Sequence, residues 1–186
     1  MPIPQHRMAR GMDLKKSMLM GLDECHIALK EAYSDLSDEA FWRHAVPGRH
    51  NIATIVMHVL QQHDDFNGNL QHRLEKKAPI KAWHYMEHEV RFELWGLPAD
   101  KLPKPGDTFP SVREVLRIHE AIHRAVVENI QEMSETDFVS SGVGQWPRLC
   151  DIFFRATYHT NAHIRQIWLI RGVMGLTDRW PEQHYA

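Results

Sequence analysis

Cysteine is nearly absent: the 186 residues hold only Cys25 and Cys150. Two thiols cannot build a disulfide framework, and they exclude a cysteine-rich zinc site. No run of 18 apolar residues occurs, so no membrane span is expected. The opening MPIPQHRMARGMDLKK lacks the apolar stretch of a signal peptide, and a cytoplasmic location is the expectation. Positive charge is not in excess either. The formal net charge is -2, and the six tryptophans are scattered without a basic face, so no nucleic-acid partner is expected. Alternating strand patterns and internal repeats are missing. GVGQ at 142–145 lacks the lysine and the preceding strand of a phosphate loop. What remains is an ordinary composition, 43% hydrophobic and 25% charged, in a length suited to one domain (1–186) with a real core. The unusual residue is histidine, with 14 copies. With so little cysteine, a metal site here would draw on histidine and carboxylate.

Four long segments carry helical periodicity. Residues 1–12 read as a loose arm. From an Asp13 cap, Leu14, Met18, Leu22, Cys25 and Leu29 form a stripe running to about Ser34. Residues 37–49 are a connection whose Phe41 and Trp42 plug one end of the core. Asn51 caps a second helix with Ile52, Ile55, Val56, Val59, His63, Phe66 and Leu70, ended by Ala78-Pro79. Gly68 weakens it without stopping it. Residues 77–110, with four prolines past Leu97, are too long and irregular for a hairpin and read as a crossover. Ser111 and Glu114 are spaced as a capping box for a third helix through Met133. After a Ser- and Gly-rich connection at 134–146, Pro147 suits the first turn of a fourth helix, with Gly172 and Gly175 as candidate stops. The expected fold is all-α, a four-helix bundle with a long crossover between its second and third helices.

The fourth segment carries His159 and His163, four residues apart and so stacked on one helix face. Such a pair is a bidentate platform for Zn²⁺, Ni²⁺ or Fe²⁺. It is equally compatible with two separate core histidines bonded to backbone or water. A third ligand would come from a facing helix, and His58, flanked by apolar residues in IATIVMHVL, is the best placed; His63 lies nearer the polar end. A rival exists in His119-Glu120-Ala121-Ile122-His123, which matches the H-E-x-x-H pattern of two zinc ligands and a general base. No further ligand or strand follows it as a metalloprotease needs, so a solvated flank is the bland reading. Cys25 and His26 are not a nucleophile–base pair, because helix neighbours point about 100° apart.

Three stretches are similar to the DinB/YfiT-like superfamily of metal-dependent enzymes: FWRHAVPGRHNIATIVMHV (41–59), YHTNAHIRQI (158–167) and WLIRGVMG (168–175). The resemblance spans most of the chain. It implies an up-down-down-up bundle whose second-to-third connection crosses the body. It also implies a metal held by one histidine of the second helix and two of the fourth, here His58, His159 and His163. It further implies a homodimer, a small-molecule substrate, and thiol chemistry of the kind seen in thiol-dependent S-transferases and a mycothiol-dependent maleylpyruvate isomerase. The chain departs from that pattern in showing no recognisable separate thiol-binding domain and in the length of 77–110.

On this reading three neutral histidines leave a divalent ion with open positions, as in catalytic sites. The ion would activate a low-molecular-weight thiol or water against a small electrophile. The alternatives are a metal-dependent hydrolase and a non-catalytic metal- or ligand-binding bundle. Gln166 could bond a ligand or face a neighbouring helix. Asp65, seven residues past His58, is a candidate acceptor or a solvated acid. Trp83 and Tyr85 are candidates to cover the site mouth.

Overall fold

The structure is a computed structural model, and it describes residues 13–75, 110–140 and 148–176. All six elements among the described residues are helices: α1 (Leu14–Tyr33), α2 (Asp38–Trp42), α3 (Ile52–Arg73), α4 (Val112–Glu132), α5 (Glu135–Val139) and α6 (Leu149–Val173). The four long ones are the four expected. The two short ones fall in stretches read as plain connections, and each is a single turn after a serine cap, Ser37 or Ser134. The arm at 1–12 and the crossover residues 77–109 lie outside the described residues.

Helix starts follow local chemistry. The Asp13 carboxylate accepts from the Lys16 amide at 3.3 Å, and Ser111 and Glu114 close the capping box reciprocally at 3.2 and 2.7 Å. Asn51 does more than cap. Its Oδ1 accepts from the Thr54 amide at 2.8 Å while its Nδ2 donates to the Trp42 carbonyl at 2.9 Å, so the start of α3 is tied to α2. Trp42 in turn donates from its indole to the Pro110 carbonyl at 3.0 Å. Phe41 is fully buried, as a core plug should be.

Two ends differ from expectation. The helix α3 stops at Arg73 rather than at Ala78-Pro79, because Glu75 takes a left-handed φ of 55° and its amide closes a turn onto the His72 carbonyl at 3.1 Å. Gly172 lies inside α6, and the stop is made by Gly175 at φ 74°. There the Gly175 amide bonds the Gly172 carbonyl at 3.1 Å and the Leu176 amide bonds the Arg171 carbonyl at 2.9 Å, the paired bonds of a Schellman ending.

The long helices pack in a ring, with α1 and α3 each against both α4 and α6. Contact pairs give directions. Gly21 meets Phe153, Cys25 meets Asn161 and Asp35 meets Arg171, so α1 and α6 run the same way. His58 meets His159 and Phe66 meets Phe153, so α3 opposes α6. Lys15 reaches the Gln131 and Met133 carbonyls while Tyr33 reaches His119, so α4 opposes α1. Met18, Leu29, Tyr33, Val56, Leu60, Ile118, Val126, Ile130 and Ile167 fill the centre with no measurable exposure. The far end is locked by Arg171, only 3% exposed, which donates to both Asp35 oxygens at 2.7 and 2.9 Å and to the Ala32 carbonyl at 3.2 Å.

Candidate metal centre

In α3 every residue from Ile52 to Leu60 is buried, because the helix is covered by both α4 and α6. His58 lies inside this run, on the side that meets α6. From α6, His159 and His163 project side by side one turn apart. The Nε2 atom of His159 lies 3.1 Å from Nε2 of His58 and 2.9 Å from Nε2 of His163. One ligand atom from each of the three falls within 4.8 Å of the others, and no second cluster of this kind occurs among the described residues. The sequence-selected triad is therefore brought together by antiparallel helices, from positions 101 apart in the chain.

The donor set fits a cation better than it fits itself. His163 Nδ1 lies 2.8 Å from Oε1 of Gln166; a carbonyl oxygen only accepts, so the ring carries its proton on Nδ1 and turns a lone pair inward at Nε2. His159 sits between two inward-facing Nε2 atoms and has a single Nε2 site with which to answer both. Its buried Nδ1 finds no partner among the described residues. Three imidazole Nε2 atoms turned to one point are what a metal ion takes up. Nitrogens ~2.0–2.1 Å from a common ion stand roughly 2.9–3.4 Å apart at right-angle to tetrahedral openings, which the observed separations match. Burial and the neighbouring imidazoles hold His58 down to about 3; burial, His163 and Arg155 hold His159 down to about 4; burial lowers His163 as well. All three are neutral near pH 7, the state in which imidazole ligates.

The other candidates are placed elsewhere. Nε2 of His63 lies 2.8 Å from the Thr160 hydroxyl, and that hydroxyl donates to the Ala156 carbonyl at 2.8 Å. His63 therefore donates, and its Nε2 offers no lone pair to an ion. Asp65 is exposed, about 10 Å along the helix axis from His58. Gln166 does face the site, as the partner of His163 rather than as a contact to a neighbouring helix. Trp83, Tyr85 and GVGQ lie outside the described residues.

The HEAIH segment makes no convergent site. Both nitrogens of His119 are used, Nε2 against His26 Nδ1 at 3.0 Å and Nδ1 against the Tyr33 hydroxyl at 3.1 Å. His123 turns its Nε2 to Asp23 at 3.0 Å and stacks on His26. Glu120 pairs with Lys30 and His26. The bland reading also needs correction, because His119 is only 1% exposed and belongs to a buried polar chain between α1 and α4. That chain was not readable from spacing, since Tyr33 and His26 lie 86 and 93 residues away. Cys25 contacts the Thr157 carbonyl and Asn161, and burial pushes its thiol up to about 11.

A bundle of four long helices with a three-histidine cluster between two of them defines a class of helical proteins equipped to hold a metal ion. The model of the DinB superfamily matches residues 22–167, well over half of the chain. The chain belongs to the DinB superfamily. No curated protein and no solved structure matched it. No helix among the described residues is long and apolar enough to cross a membrane.

Proposed function

We propose that this protein is a metal-dependent enzyme in which His58, His159 and His163 hold a divalent transition ion (Zn²⁺, Ni²⁺ or Fe²⁺) and serve the attack of a low-molecular-weight thiol on a small electrophile. The observation that carries the reading is the convergence of three neutral imidazoles on one partly open point. Three protein ligands leave positions for exchangeable groups, which structural four-ligand sites do not. A divalent ion there supplies Lewis acidity, which lowers the pKa of a water or thiol brought to it.

The chain's own residues have separate parts in this. His58 fixes the α3 side of the site and is held neutral by burial. Gln166 holds the His163 ring in the tautomer that turns Nε2 inward. Neither protein thiol fits the role of nucleophile: Cys25 is buried with a raised pKa, and Cys150 is buried beside Asp151. The nucleophile therefore comes with the small molecules. A homodimer and a cytoplasmic setting belong to the same proposal, on the strength of family resemblance.

Metal content of purified wild type, His58→Ala, His163→Ala and His119→Ala tests the centre. Retention in wild type and His119→Ala, with loss in the other two, is expected; equal metal in all four refutes it. Consumption of glutathione or bacillithiol with an electrophile by the metal-loaded protein then supports the transferase. Hydrolysis without thiol turns the reading to a hydrolase, and metal binding with neither reaction turns it to a binding module.

A further inference from the structure

Beside the three histidines lies a groove of about 540 Å³ that they do not themselves line. That size falls in the range of small-molecule sites, about 300–1,000 Å³. Its walls come from the segment before α3 (Val46, Arg49, His50), from Ile55 of α3, and from Gln166, Leu169, Ile170 and Val173 of α6. Ile55 precedes His58 by one turn, and Ile170 follows His163 by two, so the groove continues the seam between α3 and α6 past the histidine cluster. The segment that closes it is tied down. His44 donates from Nδ1 to the Arg49 carbonyl at 3.1 Å, the Arg49 amide bonds the Val46 carbonyl at 3.1 Å, and Gly48 makes the turn at φ 68°.

The lining has a marked chemical bias. Five of its residues are aliphatic, and of these Leu169 and Val173 are 68% and 57% exposed. No carboxylate lines it, whereas Arg49 does, and the Arg49 guanidinium forms no ion pair among the described residues. Gln166 adds a second donor. With Oε1 committed to His163, its amide N–H groups point the other way and meet no acceptor among the described residues. The groove thus offers donors and one fixed positive charge together with bare aliphatic surface. A guanidinium is built to take a carboxylate through paired N–H bonds.

We infer that this groove binds the non-reacting part of the substrate, and that the substrate is an organic carboxylate with an apolar body. The carboxylate lies on Arg49 and the Gln166 amide, and the body lies along Leu169, Ile170 and Val173. Gln166 then touches both the ligand and His163, so occupancy of the groove is felt at the metal centre. The role given to the groove rests on the proposed metal-dependent reaction; the binding of a carboxylate does not.

Calorimetric titration of the full-length, Zn²⁺-loaded protein with octanoate, octanol and acetate tests this, with Zn²⁺ uptake measured on the same samples. Saturable octanoate binding is expected, at least tenfold tighter than octanol or acetate. Arg49→Gln should weaken it about tenfold and Leu169→Ser several-fold. Both residues are exposed, so neither change threatens folding. Equal octanoate binding by wild type and Arg49→Gln overturns the inference, as does octanol binding as tightly as octanoate, or no octanoate binding by a protein that takes up Zn²⁺. His58→Ala separates the two claims: loss of Zn²⁺ with octanoate binding retained supports the groove as a site of its own. A wild type that binds octanoate but no Zn²⁺ leaves the groove standing and refutes the metal reading.

Discussion

Acidification should unfold this protein early, and the buried histidines outside the candidate metal centre set the size of the effect. His26, His63 and His119 are 8%, 5% and 1% exposed. Burial, with the charge His123 would carry, holds His26 down to about 4; burial, with His123 and His26 close by, does the same for His63; and burial takes His119 well below the ordinary range. In the unfolded chain each returns to about 6.5. A folded pKa below the unfolded one means that the unfolded chain binds more protons as the pH falls. Stability is therefore full above about pH 6.5 and drains away toward pH 4. Between pH 7 and 5.5 each such histidine costs about 1.2 kcal/mol, and the three together roughly 3–4 kcal/mol. That is a large part of an ordinary domain stability of about 5–15 kcal/mol, and it corresponds to a fall of about 10 °C in Tm. Asp23, Glu120 and Lys30 face the same cluster at its rim, and the carboxylates soften the effect on His26. His58 and His159 shift in the same direction, so they add to the loss in the metal-free protein. The assay is urea unfolding at pH 7.5, 7.0, 6.0 and 5.5 with a chelator present. His119→Gln should lower the pH slope by about a third, whatever its stability at pH 7.5. A stability that is flat or rising between pH 7 and 5.5 would refute the reasoning.

Removing the Gln166 carbonyl with Gln166→Leu should lower metal affinity about tenfold, the lower end of the effect for partners of ligating histidines because Gln166 is exposed. Competition with a chromophoric chelator reads it, and Gln166→Glu should restore affinity by accepting the same Nδ1 proton. Asp35→Ala leaves the buried Arg171 guanidinium without its carboxylate and should cost about 3 kcal/mol in urea unfolding, with the metal stoichiometry unchanged. An unchanged midpoint would show that the carbonyl of Ala32 and solvent suffice for Arg171.

The parts of this fold that a sequence declares are those decided within a few residues. Ser111 and Glu114 announce the start of α4, and its stripe of Val115, Ile118, Ile122 and Val126 is buried as the period requires. The helix α3 announces itself less well, because burial on all sides erases the polar face that would show which way His58 points. His159 and His163 are visible as a pair by spacing, yet His119 and His123 have the same spacing. What separates the pairs is the element each meets: α3 brings His58 to the first, and α1 brings Tyr33, His26 and Asp23 to the second. The Arg171–Asp35 lock and the His63–Thr160 bond were likewise unreadable, since their partners lie 136 and 97 residues apart. The early end of α3 was missed because a left-handed glutamate gives no compositional warning.

The unbroken burial of Ile52–Leu60 has a bearing on how such a protein can diversify. A stretch with no solvent side offers few positions where sequence can drift without disturbing packing, so His58 is carried on a surface slow to change. Its counterpart α6 is different: Tyr158, Asn161, Ala162, Arg165, Gln166 and Leu169 are exposed along it, around and between the two histidines. If the proposed function holds, new substrate preferences would arise on α6 and on the segment 43–50 by single substitutions of small energetic effect, while α3 holds the third histidine still. Random libraries aimed at altered specificity should yield folded variants from residues 158–169 far more often than from residues 52–60.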